Sequence, residues 1–184
     1  MDEELAALGW VPVEGRGSLP FALVHGESLV AAATWALGAA EVQLFDASVT
    51  FEQVRRSGRP LVVHDPLCPL APVDFLAGAV ARGAATGEVV VGYRPVTDTV
   101  KRSERDVLGV TVDRDDLRAV ATPVVIPAAL LARLDAVDAT DLPALVADLA
   151  ERAPIVWVEA PPLARRVRDE ADLADLEALS RSLS

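Results

Sequence analysis

Two adjacent titratable residues, His64 and Asp65, are the strongest local signal in this sequence. They follow the apolar run Leu61-Val62-Val63, which predicts a short buried strand. A carboxylate at the C-terminal end of a central strand points into the crevice where open α/β sheets bind ligands. We therefore predict that Asp65 contacts a ligand. His64 closes an apolar strand, which favours a hydrogen-bonded structural role over a catalytic one.

Cys68 follows Asp65 closely and is the only cysteine of the chain. A thiol becomes a nucleophile when a neighbouring base activates it, but His64, the nearest histidine in the sequence, has no evident role of that kind. The alternative is a small buried side chain, and the sequence favours it. A single cysteine cannot form an internal disulfide, which is typical of proteins in a reducing cytosol.

Two glycines flank an arginine in the segment Glu14-Gly15-Arg16-Gly17-Ser18. This segment follows residues 9–13, a candidate first strand. Glycines let the backbone approach a phosphate closely and point amide groups at it. The pattern therefore indicates either a phosphate-binding loop or an ordinary turn after a strand. Ser48 begins a predicted helix, where a serine is most often an N-cap.

The composition narrows the class of protein. The chain has 184 residues, a net charge of −11, 52% hydrophobic residues and a mean hydropathy of +0.32. This length fits one domain, residues 1–184. The negative charge disfavours nucleic acid and anionic membrane as partners. No apolar run reaches the ~18 residues of a membrane span, and the N-terminus is acidic, so we predict a cytoplasmic protein with no membrane partner.

Short apolar runs alternate with helical patterns along the chain, which predicts an α/β layered fold with a mostly parallel sheet. The predicted strands are residues 9–13, 41–45, 60–64, 88–93 and 155–159. The predicted helices are residues 27–39, 49–57, 73–85, 127–136, 142–152 and 170–180. Asp141 precedes Leu142 and Pro143, which predicts an N-cap with proline in the first turn.

Residues 97–117 have a different pattern. Their centre is charged, and an alternating run at residues 107–112 has few partners of its own to bury it. The pattern predicts a β-hairpin arm that projects from the domain. Because an isolated hairpin is unstable in water, we predict a homodimer in which this arm packs on a second copy. The alternative is a hairpin that lies on its own domain.

Several motifs occur in a fixed order: Leu61-Val62-Val63-His64-Asp65, Thr97-Asp98-Thr99-Val100-Lys101, Thr111-Val112-Asp113-Arg114, Ala121-Thr122-Pro123 and Thr140-Asp141. Together they resemble the cytidylyltransferases that activate 2-C-methyl-D-erythritol 4-phosphate in isoprenoid-precursor synthesis. The resemblance implies a three-layer α/β/α Rossmann-like nucleotidyltransferase sandwich. It also implies CTP and a polyol phosphate as substrates, with Mg²⁺ carried by the CTP phosphates.

The resemblance also implies roles for individual residues. The residues expected to bind the nucleotide are Gly15, Arg16, Gly17 and Ser48. Those expected to bind the polyol phosphate are Asp65, Thr99, Arg114, Thr122 and Thr140, with Arg114 reaching across the dimer. Arg166 is expected to be the catalytic cation. The alternative is that the threonines and Arg114 only stabilise the hairpin and the strand ends.

The sequence departs from the family pattern at three positions, and at one of them, Arg166, another cation replaces a lysine. Phe21, after Pro20, stands where the family has a lysine, and Cys68 stands where it has a substrate-binding arginine. A neutral ring cannot offset the charge of a triphosphate. Two hypotheses follow: a divergent cytidylyltransferase with a degraded nucleotide site and weak CTP binding, or a catalytically inactive relative that acts as a binding or dimer-partner protein.

Overall fold

The fold comes from a computed structural model, which describes residues 7–46, 48–96, 103–104, 107–108 and 118–183. The strands, numbered β1 to β10 in chain order, are Ala7–Trp10, Leu23–Val24, Glu27–Ser28, Val42–Leu44, Leu61–Val63, Val89–Pro95, Ser103–Glu104, Val107–Leu108, Arg118–Ile126 and Ile155–Glu159. The helices, α1 to α6, are Leu29–Ala39, Phe51–Arg56, Val73–Thr86, Ala128–Leu131, Leu142–Ala150 and Glu170–Ser182. Two short 3₁₀ helices cover Leu19–Phe21 and Pro162–Ala164.

The central sheet of the described residues has six strands in the order β10-β6-β9-β5-β1-β4. β4, β1 and β5 run parallel to one another, as do β6 and β10, and β9 lies antiparallel between β5 and β6. This arrangement confirms the prediction of a mostly parallel sheet in an α/β fold. The ladder between β1 and β5 places Trp10 opposite Val63. The chain segments that follow these two strands are therefore neighbours.

The side chains of the sheet alternate between two buried cores, one on each face. Val63 and Ile126 face a core closed by α2, α4 and α5, whereas Val62 and Val125 face a core closed by α1 and α3. This alternation is the period-2 pattern of strands that are covered on both sides. A smaller cluster joins α6 to α1 through Leu176. The predicted three-layer α/β/α sandwich is confirmed.

Helix boundaries follow local hydrogen bonding. Asp141 caps α5 by accepting a hydrogen bond from the backbone of Ala144 at 3.0 Å, as predicted. The helix predicted for residues 127–136 is shorter and ends at Leu131. Beyond it the amide of Leu134 donates to the carbonyl of Leu131, a tighter i→i−3 bond that takes the chain out of α-helical geometry. Leu134 becomes part of the core instead.

Gly92 in β6 allows an unusually close approach of β9. A Cβ atom at this position would overlap the carbonyl oxygen of Thr122, and the register between the two strands shifts between Val91 and Tyr93. Glycine marks such close backbone approaches because every other side chain would need this space. The contact fixes the position of Thr122 in β9 relative to β6.

The predicted arm at residues 97–117 lies mostly outside the described residues. Within them, β7 and β8 pair antiparallel, with Ser103 opposite Leu108 and Glu104 opposite Val107. The projection of the arm, its role in dimerisation and the single-domain organisation of residues 1–184 stay predictions. No helix in the described ranges combines the length and apolar character needed to cross a membrane.

Candidate ligand-binding site

Asp65 lies two residues after the end of β5 and is completely buried between two arginines. Its Oδ1 accepts a hydrogen bond from Arg16 Nε at 2.8 Å, and its Oδ2 accepts one from Arg166 Nε at 2.9 Å. Burial acts to raise the pKa of this carboxyl, but the two guanidinium groups outweigh burial and hold the pKa below its usual value. Asp65 therefore lies at the end of β5 between two guanidinium groups, and its predicted contact with a ligand stays a prediction.

The glycine loop, residues 14–18, follows β1 and places Arg16 beside this carboxylate. Gly15 and Gly17 have φ angles of +77° and +59°, in the left-handed region that favours glycine. A Cβ atom on Gly15 would lie 2.6 Å from the carbonyl oxygen of Thr140, so the loop packs tightly there. The loop therefore turns the Arg16 side chain inward to Asp65. The nucleotide contact that the sequence predicts for Arg16 stays a prediction.

Arg166 reaches Asp65 from the segment between the second 3₁₀ helix and α6. The amide of Val167 donates to the carbonyl of Leu67 at 2.7 Å and fixes this segment beside the loop that follows β5. The neighbouring arginines, Arg165 and Arg168, bind Asp172 of α6 instead. Arg166 is therefore the arginine of this segment that contacts the crevice, and its side chain is 40% exposed.

Thr122 connects β9 to the loop after β5. Its Oγ1 accepts a hydrogen bond from the backbone amide of Asp65 at 3.3 Å and is also hydrogen-bonded to Nδ1 of His64. All three residues are buried. Burial lowers the pKa of His64 to about 4, so the imidazole is neutral near pH 7. His64 therefore has the structural role that the sequence predicts.

Cys68 is completely buried beside this cluster. Its amide donates to the carbonyl of Asp65 at 2.9 Å, which closes a turn. Burial and the nearby charge of Asp65 raise the pKa of the thiol well above its ordinary value. A thiol that remains protonated is not a nucleophile. The expectation of a small buried side chain fits, and Cys68 supplies no cation.

Other predicted site residues lie apart from the Asp65 cluster. Thr140 touches the glycine loop with its backbone, but its Oγ1 donates to Asp138 Oδ1 at 2.6 Å and its side chain is exposed. It therefore does not join Asp65 in the structure. Thr99 and Arg114 lie outside the described residues, so their predicted roles stay predictions.

Ser48 is exposed and does not cap α2, which corrects the sequence prediction. Its amide donates to Asp46 Oδ1 at 2.8 Å in a turn before the helix. The N-cap is Thr50, which forms a capping box with Gln53. The capping box satisfies backbone groups of the first turn of α2, so the helix begins two residues later than predicted. A nucleotide-binding role for Ser48 stays a prediction.

A cavity of about 320 Å³ opens beside Glu14, at the start of the glycine loop. Trp10 at the end of β1 and Phe45 after β4 form a stacked pair with ring centroids 6.4 Å apart. The cavity is lined by Trp10, Val11, Val13, Glu14, Phe45, Asp46, Val49, Phe51, Leu61 and Val137. Aromatic walls of this kind suit a planar ring. Phe21 does not line this cavity and is 60% exposed.

The described residues contain no group of three His, Cys, Asp or Glu side chains placed to hold a metal ion. Both carboxylate oxygens of Asp65 already accept hydrogen bonds from arginines. The two guanidinium charges beside this carboxylate repel a divalent cation, and Asp65 is the one carboxylate of the cluster. The residues at the crevice therefore do not fit a resident magnesium ion.

The fold defines a Rossmann-like α/β protein, with Asp65, Arg16 and Arg166 grouped at the end of β5. The model of one family, IspD or 2-C-methyl-D-erythritol 4-phosphate cytidylyltransferase, matches residues 47–179. The chain belongs to this family. The matched region includes Asp65, Thr122 and Arg166 but not the glycine loop or Phe21.

Related proteins and structures agree with this assignment. The 2-C-methyl-D-erythritol 4-phosphate cytidylyltransferase of Rhodococcus opacus is 37% identical over 125 residues, which are 65% of this chain and 54% of that protein. A bifunctional IspD/IspF enzyme of Clavibacter michiganensis is 45% identical over 73 residues, 39% of this chain and 18% of that enzyme. The chain thus spans about half the length, or less, of these relatives.

Solved structures show the same fold. The crystal structure of 2-C-methyl-D-erythritol 4-phosphate cytidylyltransferase from Thermus thermophilus superimposes with a TM-score of 0.66 and 23% identity, and covers 95% of this chain and 98% of the other. A 4-diphosphocytidyl-2C-methyl-D-erythritol synthase from Anaerococcus prevotii gives 0.67 and 15%, with the same coverage of both chains. At these identities the likeness establishes the fold alone.

Proposed function

We propose that this chain transfers a cytidylyl group from CTP to a small polyol phosphate, with 2-C-methyl-D-erythritol 4-phosphate as the acceptor. The observation that carries the proposal is the convergence of Arg16 and Arg166 on Asp65 at the end of β5. One positive charge of this cluster is left uncompensated, which suits a phosphate ligand. Family membership supplies the reaction.

The chemistry requires little from the protein beyond position and charge. A phosphate oxygen of the polyol phosphate attacks the α-phosphorus of CTP, the bond to the β-phosphate oxygen breaks, and pyrophosphate leaves. Arg166, which is partly exposed, provides a cation near the reacting phosphates. Because the crevice residues do not fit a resident metal, we propose that Mg²⁺ enters as part of the Mg·CTP substrate.

We propose that CTP binds weakly. The aromatic cavity formed by Trp10 and Phe45 offers a surface for the base, but Phe21 contributes no charge to the triphosphate. Each charge-assisted contact that is missing costs ~1.5–3 kcal/mol, which is about ten- to a hundredfold in affinity. We therefore expect a high KM for CTP.

A product assay tests this function. Wild-type protein is incubated with CTP, Mg²⁺ and 2-C-methyl-D-erythritol 4-phosphate, and both pyrophosphate and the cytidine-diphosphate product are measured. We expect slow formation of both products, with a rate that rises with CTP and is lost in Arg166→Ala. Arg152→Ala is the control, because Arg152 forms an exposed ion pair with Asp148 on α5. No product from wild-type protein at any CTP concentration would refute the enzyme.

A second candidate is a catalytically inactive relative that binds a ligand or serves as a dimer partner. Phe21 favours it, because a neutral, exposed side chain stands where the family resemblance expects a lysine. This candidate predicts polyol-phosphate binding in calorimetry without any product in the assay. Product formation therefore distinguishes the two candidate functions, whereas binding of the polyol phosphate does not.

We also propose that the protein is a cytoplasmic homodimer joined through residues 97–117. The charged centre and narrow apolar face of this segment support the proposal. Light scattering on wild-type protein and on a variant with residues 103–108 replaced by a short Gly-Ser turn tests it. We expect a dimer for the wild type and a monomer for the variant. A wild-type monomer at micromolar concentration would contradict it.

A further inference from the structure

The two arginines on Asp65 are held in different ways. The Arg16 side chain is 1% exposed, with Nε on Asp65 and Nη1 donating to the carbonyl of Glu14 at 2.6 Å. The Arg166 side chain is 40% exposed and contacts Asp65 through Nε, with no other hydrogen bond among the described residues. Arg16 is therefore fixed from two directions, whereas the outer nitrogens of Arg166 remain available to a ligand.

The burial of Arg16 decides which charge is neutralised. A buried guanidinium without a counter-ion is strongly unfavourable, so the charge of Asp65 is committed to Arg16. One carboxylate cannot neutralise two cations. The uncompensated positive charge therefore lies with Arg166, on the side that solvent and a ligand can reach.

We propose that Arg16 is a positioning residue: it neutralises Asp65 from the buried side and thereby leaves the Arg166 guanidinium to bind the phosphate of the ligand. Without Arg16, Asp65 would pair fully with Arg166 and compete with phosphate. The inference rests on the proposed function only for the identity of the ligand. The chemistry that it names is recognition of a phosphate group by a guanidinium fork.

The loop that carries Asp65 is consistent with this role. It contains the buried neutral Cys68 and no cation of its own between Asp65 and Pro69. The guanidinium that neutralises Asp65 comes instead from a loop 49 positions away in the sequence. Arg16 thus acts on the charge at the crevice through Asp65.

A double-mutant cycle tests the proposal with inorganic phosphate as the probe, titrated by calorimetry at low ionic strength. The variants are Arg16→Gln, Asp65→Asn, the double variant and Arg166→Ala. We expect Arg16→Gln to weaken phosphate binding about tenfold, and Asp65→Asn in the same chain to restore it. Arg166→Ala should abolish binding. A double variant as weak as Arg16→Gln, or binding that survives Arg166→Ala, would overturn the proposal.

Arg16→Lys covers the case in which Arg16→Gln does not fold. It keeps the charge, so phosphate affinity should stay within roughly threefold of wild type. A tenfold loss in a folded Arg16→Lys protein would mean that the shape of Arg16, not its charge, is what matters, and would overturn the proposal. Phosphate binding needs no turnover. A protein that passes this test and forms no cytidine-diphosphate product would refute the proposed enzyme and retain this inference.

Discussion

Arg16 and Asp65 form a buried ion pair, with 2.8 Å between Arg16 Nε and Asp65 Oδ1, although they lie 49 positions apart in the sequence. The pair joins the glycine loop after β1 to the end of β5. It makes Arg16 a partner of the residue expected to bind substrate, and the predicted nucleotide contact of Arg16 stays a prediction. The organisation of the crevice depends on this pair.

Asp65→Ala is expected to lower the free energy of unfolding by ~3–5 kcal/mol, because it leaves the buried Arg16 without its counter-ion. Urea unfolding measures the change. Asp148→Ala is the matched control, since it removes an exposed ion pair with Arg152 and should have a much smaller effect. An equal decrease in the free energy of unfolding of the two variants would show that the buried ion pair contributes no more to stability than the exposed one.

Thr122→Val is expected to destabilise the protein by about 1–3 kcal/mol, because it leaves the buried amide of Asp65 and the ring of His64 without their hydroxyl partner. Thr122→Ser keeps the hydroxyl and loses one methyl group, so its loss should be smaller, ~1 kcal/mol. Chemical denaturation of both variants checks this order. A serine variant less stable than the valine variant would contradict the hydrogen-bonding role.

Gly92→Ala is expected to cost ~1–3 kcal/mol and to disturb the crevice, because the added methyl overlaps the Thr122 carbonyl. Gly78→Ala is the control. Gly78 is exposed in α3 with open space around its Cβ position, so alanine there should be neutral or stabilise by ~0.5–1 kcal/mol. Similar melting temperatures for the two variants would show that the close approach of β6 and β9 has no energetic role.

Stability should depend on pH through His64. Its pKa is lowered by burial from 6.5 to about 4, so the unfolded chain binds more protons than the native protein between these values. Stability should therefore be complete above pH 6.5 and fall by on the order of 3 kcal/mol as the pH drops to about 4. His64→Gln should flatten this part of the unfolding curve. Parallel curves for the two proteins would contradict the assignment.

The sequence predicted elements whose signals are local. The strand at residues 155–159 has the predicted bounds, and Asp141 caps α5 as expected. β9 was missed because Pro123 interrupts its apolar run, and proline is disfavoured inside a central strand. The register shift opposite Gly92 accommodates the irregular pairing there. A local pattern does not reveal such a compensation from another strand.

The candidate site was predicted only in part for the same physical reason. Asp65 follows a buried strand, and this local signal placed it correctly at the strand end. Its partners, Arg16 and Arg166, come from loops 49 and 101 positions away in the sequence. Contacts between residues so far apart leave no local sequence pattern. Ser48 and Thr50 are both good N-cap residues, and Gln53 decides for Thr50 by completing the capping box.

Paired calorimetric titrations test the central claim most directly, namely that the polyol-phosphate part of the crevice is retained while the nucleotide part is weakened. Wild-type protein is titrated with 2-C-methyl-D-erythritol 4-phosphate and, separately, with Mg·CTP. We predict measurable binding of the polyol phosphate that is lost in Arg166→Ala, and weaker binding of CTP that improves about tenfold in Phe21→Lys. Tight magnesium-dependent CTP binding by the wild type, with none of the polyol phosphate, would contradict the account.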